Sequence, residues 1–478
     1  MDAARAHPVS IRVAAGAIAL LLAFAPPALS AQEGSPGAPA LERPARPAID
    51  WIYPWKEDWS VLADPALRTD PFDPIKYIRI GSDPKSYLSF GATIRQRFEW
   101  VSMRLTPLQP DDYLLDRMQV HADLHLGPHV QVFTQLVDAR AFGKDFVTPI
   151  DQDRLDMEQA FVGLTLPVGR GAFKVTAGRQ EPDLDMQRFA STGQGPNVPK
   201  PFDSFHIDYT DRAWRVVGFY SRPVAQRDGN PFDDVSSRGL TLSGVRVEWR
   251  NFGHGKLSLF AAQLRDDSAS YVPGTGRERR NILDVHYAGR GSSWDWDTEG
   301  MGQAGHVGAK RIRAWGLGGE IGHTWVSRPW SPRLGLQVDA ASGTDDLNGD
   351  VAGTFNPLFP NGYYELLVGY PGYANFVHLK SSAMVFPTRA LSALVSAGAL
   401  WRETTADAVY MLPAIPVAGT AGNGSAYSGA YVQLRLDWRI SAHLAGAIDA
   451  ESFAHSRSLH QAGARDGHYI GVELKLGV

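Results

Sequence analysis

The chain contains no cysteine, which removes thiol nucleophiles, disulfides and Cys-ligated metals together. It has no basic excess either. Its 47 Lys and Arg face 51 Asp and Glu, a formal net charge of −4, so the electrostatic footprint of a nucleic-acid binder is missing. Long hydrophobic runs are also missing. The most apolar internal stretch, Ala390 to Trp401, is a dozen residues interrupted by Ser392, Ser396 and Gly398, short of the roughly 18 that a membrane helix needs. A mean hydropathy of −0.21 argues the same way. A transmembrane barrel survives these exclusions, because only alternate residues of its strands must face lipid. The 14 His are scattered without metal-binding spacing. His121 and His125, four apart on one predicted strand face, are separated by about 13 Å. No Gly-x-Ser-x-Gly or Walker loop occurs, and no cofactor is expected.

What is present begins with a predicted leader over residues 1–31. Arg5 and Arg12 supply its positive end, Val13 to Phe24 its short apolar core, and Pro26 to Ala31 its small-residue cleavage region. Cleavage would remove those two Arg and Asp2, leaving 45 basic and 50 acidic residues, a net charge of −5. Residues 32–50, rich in Pro, Ala, Gly and Ser, predict a disordered mature N-terminus. Residues 51–85 predict an irregular lead-in, with Trp51, Tyr53, Trp55 and Trp59 among Asp and Pro.

From Tyr87 the pattern has period two, so successive side chains fall on opposite faces of a strand. Leu88, Phe90, Ala92, Ile94, Phe98 and Trp100 share one face, interrupted by Gln96; Ser89, Thr93, Arg95, Arg97 and Glu99 share the other. Met118 to Leu126 alternates with Arg117, Gln119, His121, Asp123 and His125. The dyad recurs at Val245–Trp249 and Val432–Ile440, and closes with Ile470, Val472, Leu474 and Leu476 alternating with Gly471, Glu473, Lys475 and Gly477. A recurring charged face, aromatics near strand ends (Trp100, Trp249, Trp401, Trp438) and an apolar final strand point to an all-β transmembrane barrel over 86–478. Turn signals predict short connections such as Gly127-Pro128, Gly169 to Gly171 and Asn251 to Gly255. Longer loops are predicted at Asp266 to Gly276, Ser342 to Tyr370 and Leu412 to Ser428. The pattern supports roughly 16 to 18 strands. Its expected place is the Gram-negative outer membrane, in contact with lipid.

Several motifs resemble the alginate export family. Asp70-Pro71-Phe72-Asp73-Pro74-Ile75-Lys76-Tyr77-Ile78 is similar to the family's entry segment. Tyr87-Leu88-Ser89-Phe90-Gly91, followed by Arg95-Gln96-Arg97-Phe98-Glu99, resembles its first strand. Gly178-Arg179-Gln180-Glu181, then Gly195-Pro196-Asn197-Val198 with Phe202-Asp203, resemble a turn and the segment after it. Trp296-Asp297-x-Glu299 with Gln303, and Ala341-Ser342-Gly343, also fit; the likeness runs over about residues 70 to 370. Gly91-Ala92-Thr93 and Gly343-Thr344 depart from the family's Gly-Gly-Glu and Ser-Gly-Asp. The resemblance implies an 18-stranded barrel with a cation-rich lumen that passes an anionic polysaccharide.

The expected solute-conducting residues are Arg95, Arg97, Glu99, Arg117, Arg140, Arg179, Arg246, Arg311 and Arg313. Arginine suits this task because its planar fork binds a carboxylate through two parallel hydrogen bonds, and rings of such groups favour anions in a pore. The competing reading pairs these Arg with Glu99, Asp123, Asp138, Asp156, Glu158 and Glu248 in a ladder that only stiffens the wall. Asp346, Asn348 and Asp350 place oxygens at alternate positions, as calcium loops do, but the distal Glu of an EF-hand is missing, which favours a plain solvated turn. Expected partners are outer-membrane lipid, an anionic polysaccharide or small anions, and periplasmic export components, with no nucleic acid. Rival functions are a general porin, a barrel enzyme and a soluble exported carbohydrate binder.

Overall fold

A computed structural model describes residues 46–103, 111–181, 184, 188–189, 195–360, 366–367, 371–412 and 414–478. The predicted leader and all but the last five residues of the 32–50 segment lie outside the described residues. Arg46 is anchored by Asp73 at 2.9 Å.

Eighteen long strands close into one antiparallel barrel. They are β1 (Tyr87–Val101), β2 (Asp111–Leu126), β3 (Val130–Phe142), β4 (Asp153–Val168), β5 (Gly171–Gln180) and β6 (Phe202–Thr210). Next come β7 (Trp214–Ala225), β8 (Leu240–Phe252), β9 (Gly255–Tyr271), β10 (Gly274–Gly291), β11 (Trp294–Val307) and β12 (Lys310–Thr324). The last six are β13 (Arg333–Ala341), β14 (Phe376–Thr388), β15 (Leu391–Trp401), β16 (Tyr427–Arg439), β17 (Leu444–His455) and β18 (Gly467–Gly477). Each pairs with its sequence neighbour. β18 then pairs with β1 from Thr93↔Gly477 to Val101↔Tyr469, which leaves no open edge.

The alternation sets the facing. Phe90, Ile94, Met118, Val120 and Ile470 are exposed on the outside, while Arg95, Arg97, Arg117, Gln119 and Glu473 are buried within. Val472 also faces out, but cross-strand Phe98 and Ile448 cover it, leaving 8% exposed.

Eight brief connections, at 127–129, 169–170, 211–213, 253–254, 292–293, 325–332, 389–390 and 440–443, lie at one end. The start of β1 and the end of β18 lie there too. The longest loops, 181–201, 342–375 and 402–426, lie at the other. This is the asymmetry of outer-membrane barrels, with turns periplasmic and loops extracellular. The expected loop from Asp266 to Gly276 is instead strand: β9 and β10 run on through a bulge to a two-residue turn.

An aromatic belt marks the short-turn end. Trp214 stacks on Trp249 at 5.4 Å, Trp249 meets Phe252 at 5.0 Å, Phe252 meets Tyr287 at 5.6 Å, and Tyr287 meets Trp296 at 5.9 Å. Flat amphipathic rings favour this depth because one edge is wet and the other apolar.

The lead-in enters from this same end as three single 3-10 turns and a one-turn helix, Asp73–Lys76. Trp55 sits against the inward-facing Phe133, and its carbonyl accepts from Gln131 at 2.8 Å. His443 in the β16–β17 turn holds Asp70 at 2.7 Å. The segment is tied to the wall further by Trp59 N, which donates to the Tyr87 hydroxyl at 3.2 Å, and by Ile78 and Arg79, which pair with Leu88 and Tyr87 of β1.

Candidate functional site

The interior has two walls of different character. On β1, β2 and β16–β18 it is charged. Arg95 donates to Glu473 at 2.7 Å and to the carbonyls of Gly195 and Pro196, both at 3.1 Å. Arg97 pairs with Glu99 at 2.6 Å, Asp449 at 3.3 Å and Glu473 at 3.4 Å, and also bonds the Tyr469 hydroxyl. Glu99 accepts from Tyr113 at 2.6 Å. Arg435 reaches Asp437 at 2.8 Å and Asp449 at 3.0 Å, and Lys475 reaches Glu473 at 2.9 Å. Arg117 is buried among the charges of Arg95, Glu158, Glu181 and Glu473. Glu158 accepts from Gln119 and Gln135. Strand pairing explains the density: Arg95 is opposite both Arg117 and Lys475, and Arg97 is opposite Glu473.

The other wall, on β7–β12, presents buried Val217, Phe219, Leu242, Phe260, Leu264, Ile282, Met301 and Ala314 to the interior. The long loops fold in against them. Phe189 of the 181–201 loop contacts Phe355 at 5.2 Å and Tyr373 at 5.1 Å, both from the 342–375 loop. Arg246, fully buried, bonds Glu248 at 3.1 Å, and Arg280 bonds Glu278 at 2.5 Å and Gln303 at 2.6 Å.

At the short-turn mouth, buried Lys76 approaches Glu57 at 3.5 Å and lies 5.1 Å from the Trp59 ring centre. Burial pushes the Glu57 carboxyl up and the Lys76 ammonium down, each opposed by the attraction of the pair.

A closed barrel with this interior matches the alginate export family model over residues 86–473. The chain belongs to the alginate export family. The match extends beyond the stretch in which its motifs are legible, to within five residues of the C-terminus. Solved outer-membrane barrels share the fold. Pseudomonas aeruginosa OccK9 (OpdG) aligns at TM-score 0.55 and 10% identity, over 82% of this chain and 98% of its own. Acinetobacter baumannii OccAB1 aligns at 0.55 and 11%, over 82% and 96%. Pseudomonas aeruginosa OccK2 (OpdF) in complex with glucuronate aligns at 0.54 and 11%, over 84% and 100%. A search of curated protein sequences returned no match. Family and fold together make this an outer-membrane barrel of the channel type.

For this alginate export barrel, several expected site residues hold their place and others do not. Arg95, Arg97, Glu99, Arg117 and Arg246 face the interior. Arg140 does not: it is out of phase with buried Gln131, Gln135 and Ala139, is exposed, and is bound at 2.6 Å to Asp138 on the outer surface. Arg179 sits in strand β5 rather than a turn, on the side of exposed Phe173 and Ala177. It is held by Asp203 at 2.9 Å. Arg311 and Arg313 share the outward parity of Trp315, Leu317 and Ile321. Register aligns Arg265, Arg279, His306 and Arg311 as one exposed outer row. These four misplacements have one cause. Toward the loop-bearing strand ends the outer face need not be apolar, so polarity stops reporting which face is inside. The Asp346 loop is a capped turn in which Asp346 accepts from Asn348 N at 2.9 Å, while Asp350 is spent on Arg311 at 2.6 Å.

Sequence reasoning missed Arg188. From the 181–201 loop it crosses to Glu299 at 2.7 Å, Asp297 at 3.2 Å and Asp339 at 3.7 Å. Two of these acids are the Trp296-Asp297-x-Glu299 motif, so the motif's carboxylates dock a loop. Room comes from Gly318 on β12, where a Cβ would lie 2.4 Å from Arg188 Nε. The Gly-Leu-Gly-Gly run at 316–319 was the available signal. Asn197 likewise pins its loop by donating to the carbonyls of Asp116, Arg140 and Asp151.

Proposed function

We propose that the barrel passes a carboxylated saccharide, alginate-like in chemistry, along its charged wall. The carrying observation is the concentration of Arg95, Arg97, Arg117 and Arg435 on a few adjoining strands, with three of these guanidinium groups already bonded to carboxylates. A sugar carboxylate offers the same planar two-oxygen partner, so it can compete with Glu473, Glu99 and Asp449 for these guanidinium groups. Barriers to passage stay low when every step replaces one such bond with another. The OccK2 barrel in complex with glucuronate lends support from a relative in fold. Export components of the periplasm would meet the short-turn end, where the lead-in sits. The activity proposed is passage, with no catalytic step.

The acids on the same wall favour a second reading, a general porin. Arg95, Arg97, Arg117, Arg435 and Lys475 are matched by Glu99, Asp437, Asp449, Glu451 and Glu473. Planar bilayers separate the two. Zero-current potentials under a salt gradient should show anion preference, and polyuronate added to one side should block the current. Replacing Arg95 and Arg97 together with Ala should reduce both effects. A wild-type channel that prefers cations and ignores polyuronate rejects the saccharide reading and leaves the porin.

A further inference from the structure

At the extracellular rim, three carboxylates converge that no step of solute passage uses. Asp153 and Asp156 stand at the start of β4, and Asp234 comes from the 226–239 loop. One oxygen from each lies within 4.8 Å of the other two. Asp153 and Asp156 are each only 2% exposed. The Oδ1 of Asp153 is buried and has no hydrogen-bond partner. Water does not reach that oxygen, and no donor is offered to it, which is costly for an ionised group.

Nearby cations balance the cluster only in part: Lys200, within electrostatic reach of Asp234, donates to the Val224 carbonyl at 2.9 Å. Arg179 stands 3.8 Å from Asp156 and is engaged at 2.9 Å by Asp203. Arg154 is taken by Asp228 at 3.1 Å. Asp228 and Asp233 add further negative charge within electrostatic reach of Asp153. The backbone brings the three acids together at some cost. Leu155, between the two β4 acids, has φ +41°, and Phe232, beside the third, has φ +59°. Phe232 N donates to Leu155 O at 3.1 Å and Asp234 N to Asp156 Oδ2 at 3.1 Å, so loop and strand are joined at the cluster.

We propose that Asp153, Asp156 and Asp234 bind one calcium ion, which clips the 226–239 loop to the barrel rim. All donors are oxygens, as a hard divalent cation requires. With one oxygen of each acid within 4.8 Å of the others, a single ion at about 2.3–2.6 Å from each can touch all three. Magnesium usually keeps several waters and takes only one or two carboxylates, so three converging carboxylates favour calcium. Asp234 is only half-buried, so solvent on its side can complete the shell. The position suits the outer medium, where sites of about 10⁻⁴–10⁻³ M affinity are filled.

The test uses the full chain, folded in detergent and stripped with a chelator, titrated with calcium alone by calorimetry. One saturable site per chain is expected, with magnesium at least tenfold weaker. Asp234→Asn, on the loop, should weaken calcium at least tenfold while the barrel still folds; Asp153→Asn should do the same. Asp350→Asn, in the other acidic loop, should bind like wild type. A second measurement, protease cleavage within 226–239, should be slowed by calcium in the wild type and not in Asp234→Asn. Absence of saturable binding up to ~10 mM, beyond the weakest extracellular modules, overturns the proposal. So does unchanged affinity in Asp234→Asn, whatever the fate of Asp153→Asn.

Discussion

Glu473 illustrates how much one interior residue carries. The alternating pattern places it on the lumen face. In the fold it gathers Arg95, Lys475 and Arg97 at 2.7, 2.9 and 3.4 Å. Removing one partner of a buried ion pair costs up to about 3–5 kcal/mol because the other charge is left without compensation; the extra partners of Arg97 reduce that cost here. Glu473→Gln should therefore lower the unfolding temperature of the detergent-folded barrel and strengthen anion preference in bilayers. A variant with wild-type melting and selectivity would show that the three cations do not depend on it. Gly318 is a second case. Gly318→Val should displace Arg188 and loosen the 181–201 loop, seen as faster proteolysis of that loop with the strands intact.

For strands, facing is the testable property. Ile470 on β18 is 41% exposed to the outside, whereas Val472 is screened by Phe98 and Ile448, so Ile470 is the better probe of lipid contact. Ile470→Arg should cost roughly 2–4 kcal/mol if it lies near the bilayer midplane, and less toward the interface; folding yield into lipid vesicles measures it. Arg311→Ala with Arg313→Ala should leave conductance and selectivity at wild-type values, because both side chains are outside. A clear shift in the zero-current potential would place them back in the conducting path. Deleting β18 should abolish folding, since β1 and β17 would each be left with an unpaired edge in lipid.

For the whole molecule, closure is the governing fact. Eighteen strands with every neighbour paired satisfy the backbone within the membrane, where water cannot. The protein should fractionate with the outer membrane, and its unboiled form should migrate differently from the boiled form on a denaturing gel. Recovery in the periplasmic extract with a single heat-independent band would contradict the barrel. The interior is organised at this scale too: one wall is charged, and the other mixes buried apolar side chains with ion pairs such as Arg246–Glu248 and Arg280–Glu278 beneath inward-folded loops.

The sequence by itself determined the barrel, because period-two alternation is a local property of each strand and survives without knowledge of its neighbours. It also placed Arg95, Arg97, Arg117 and Arg246 inside, since they lie in stretches where the opposite parity is apolar. It could not place Arg140, Arg179, Arg311 and Arg313, which lie near the loop-bearing ends, where both faces tolerate charge. Only the tertiary structure decided which charges meet. Glu473 reaches Arg95 across the barrel seam, 378 positions apart in the chain. Arg188 reaches Glu299 because a loop folds inward over a glycine. The acids of β4 meet Asp234 because a bulge turns them toward a distant loop. Such contacts depend on closure and loop return, and neither leaves a periodic mark in the chain.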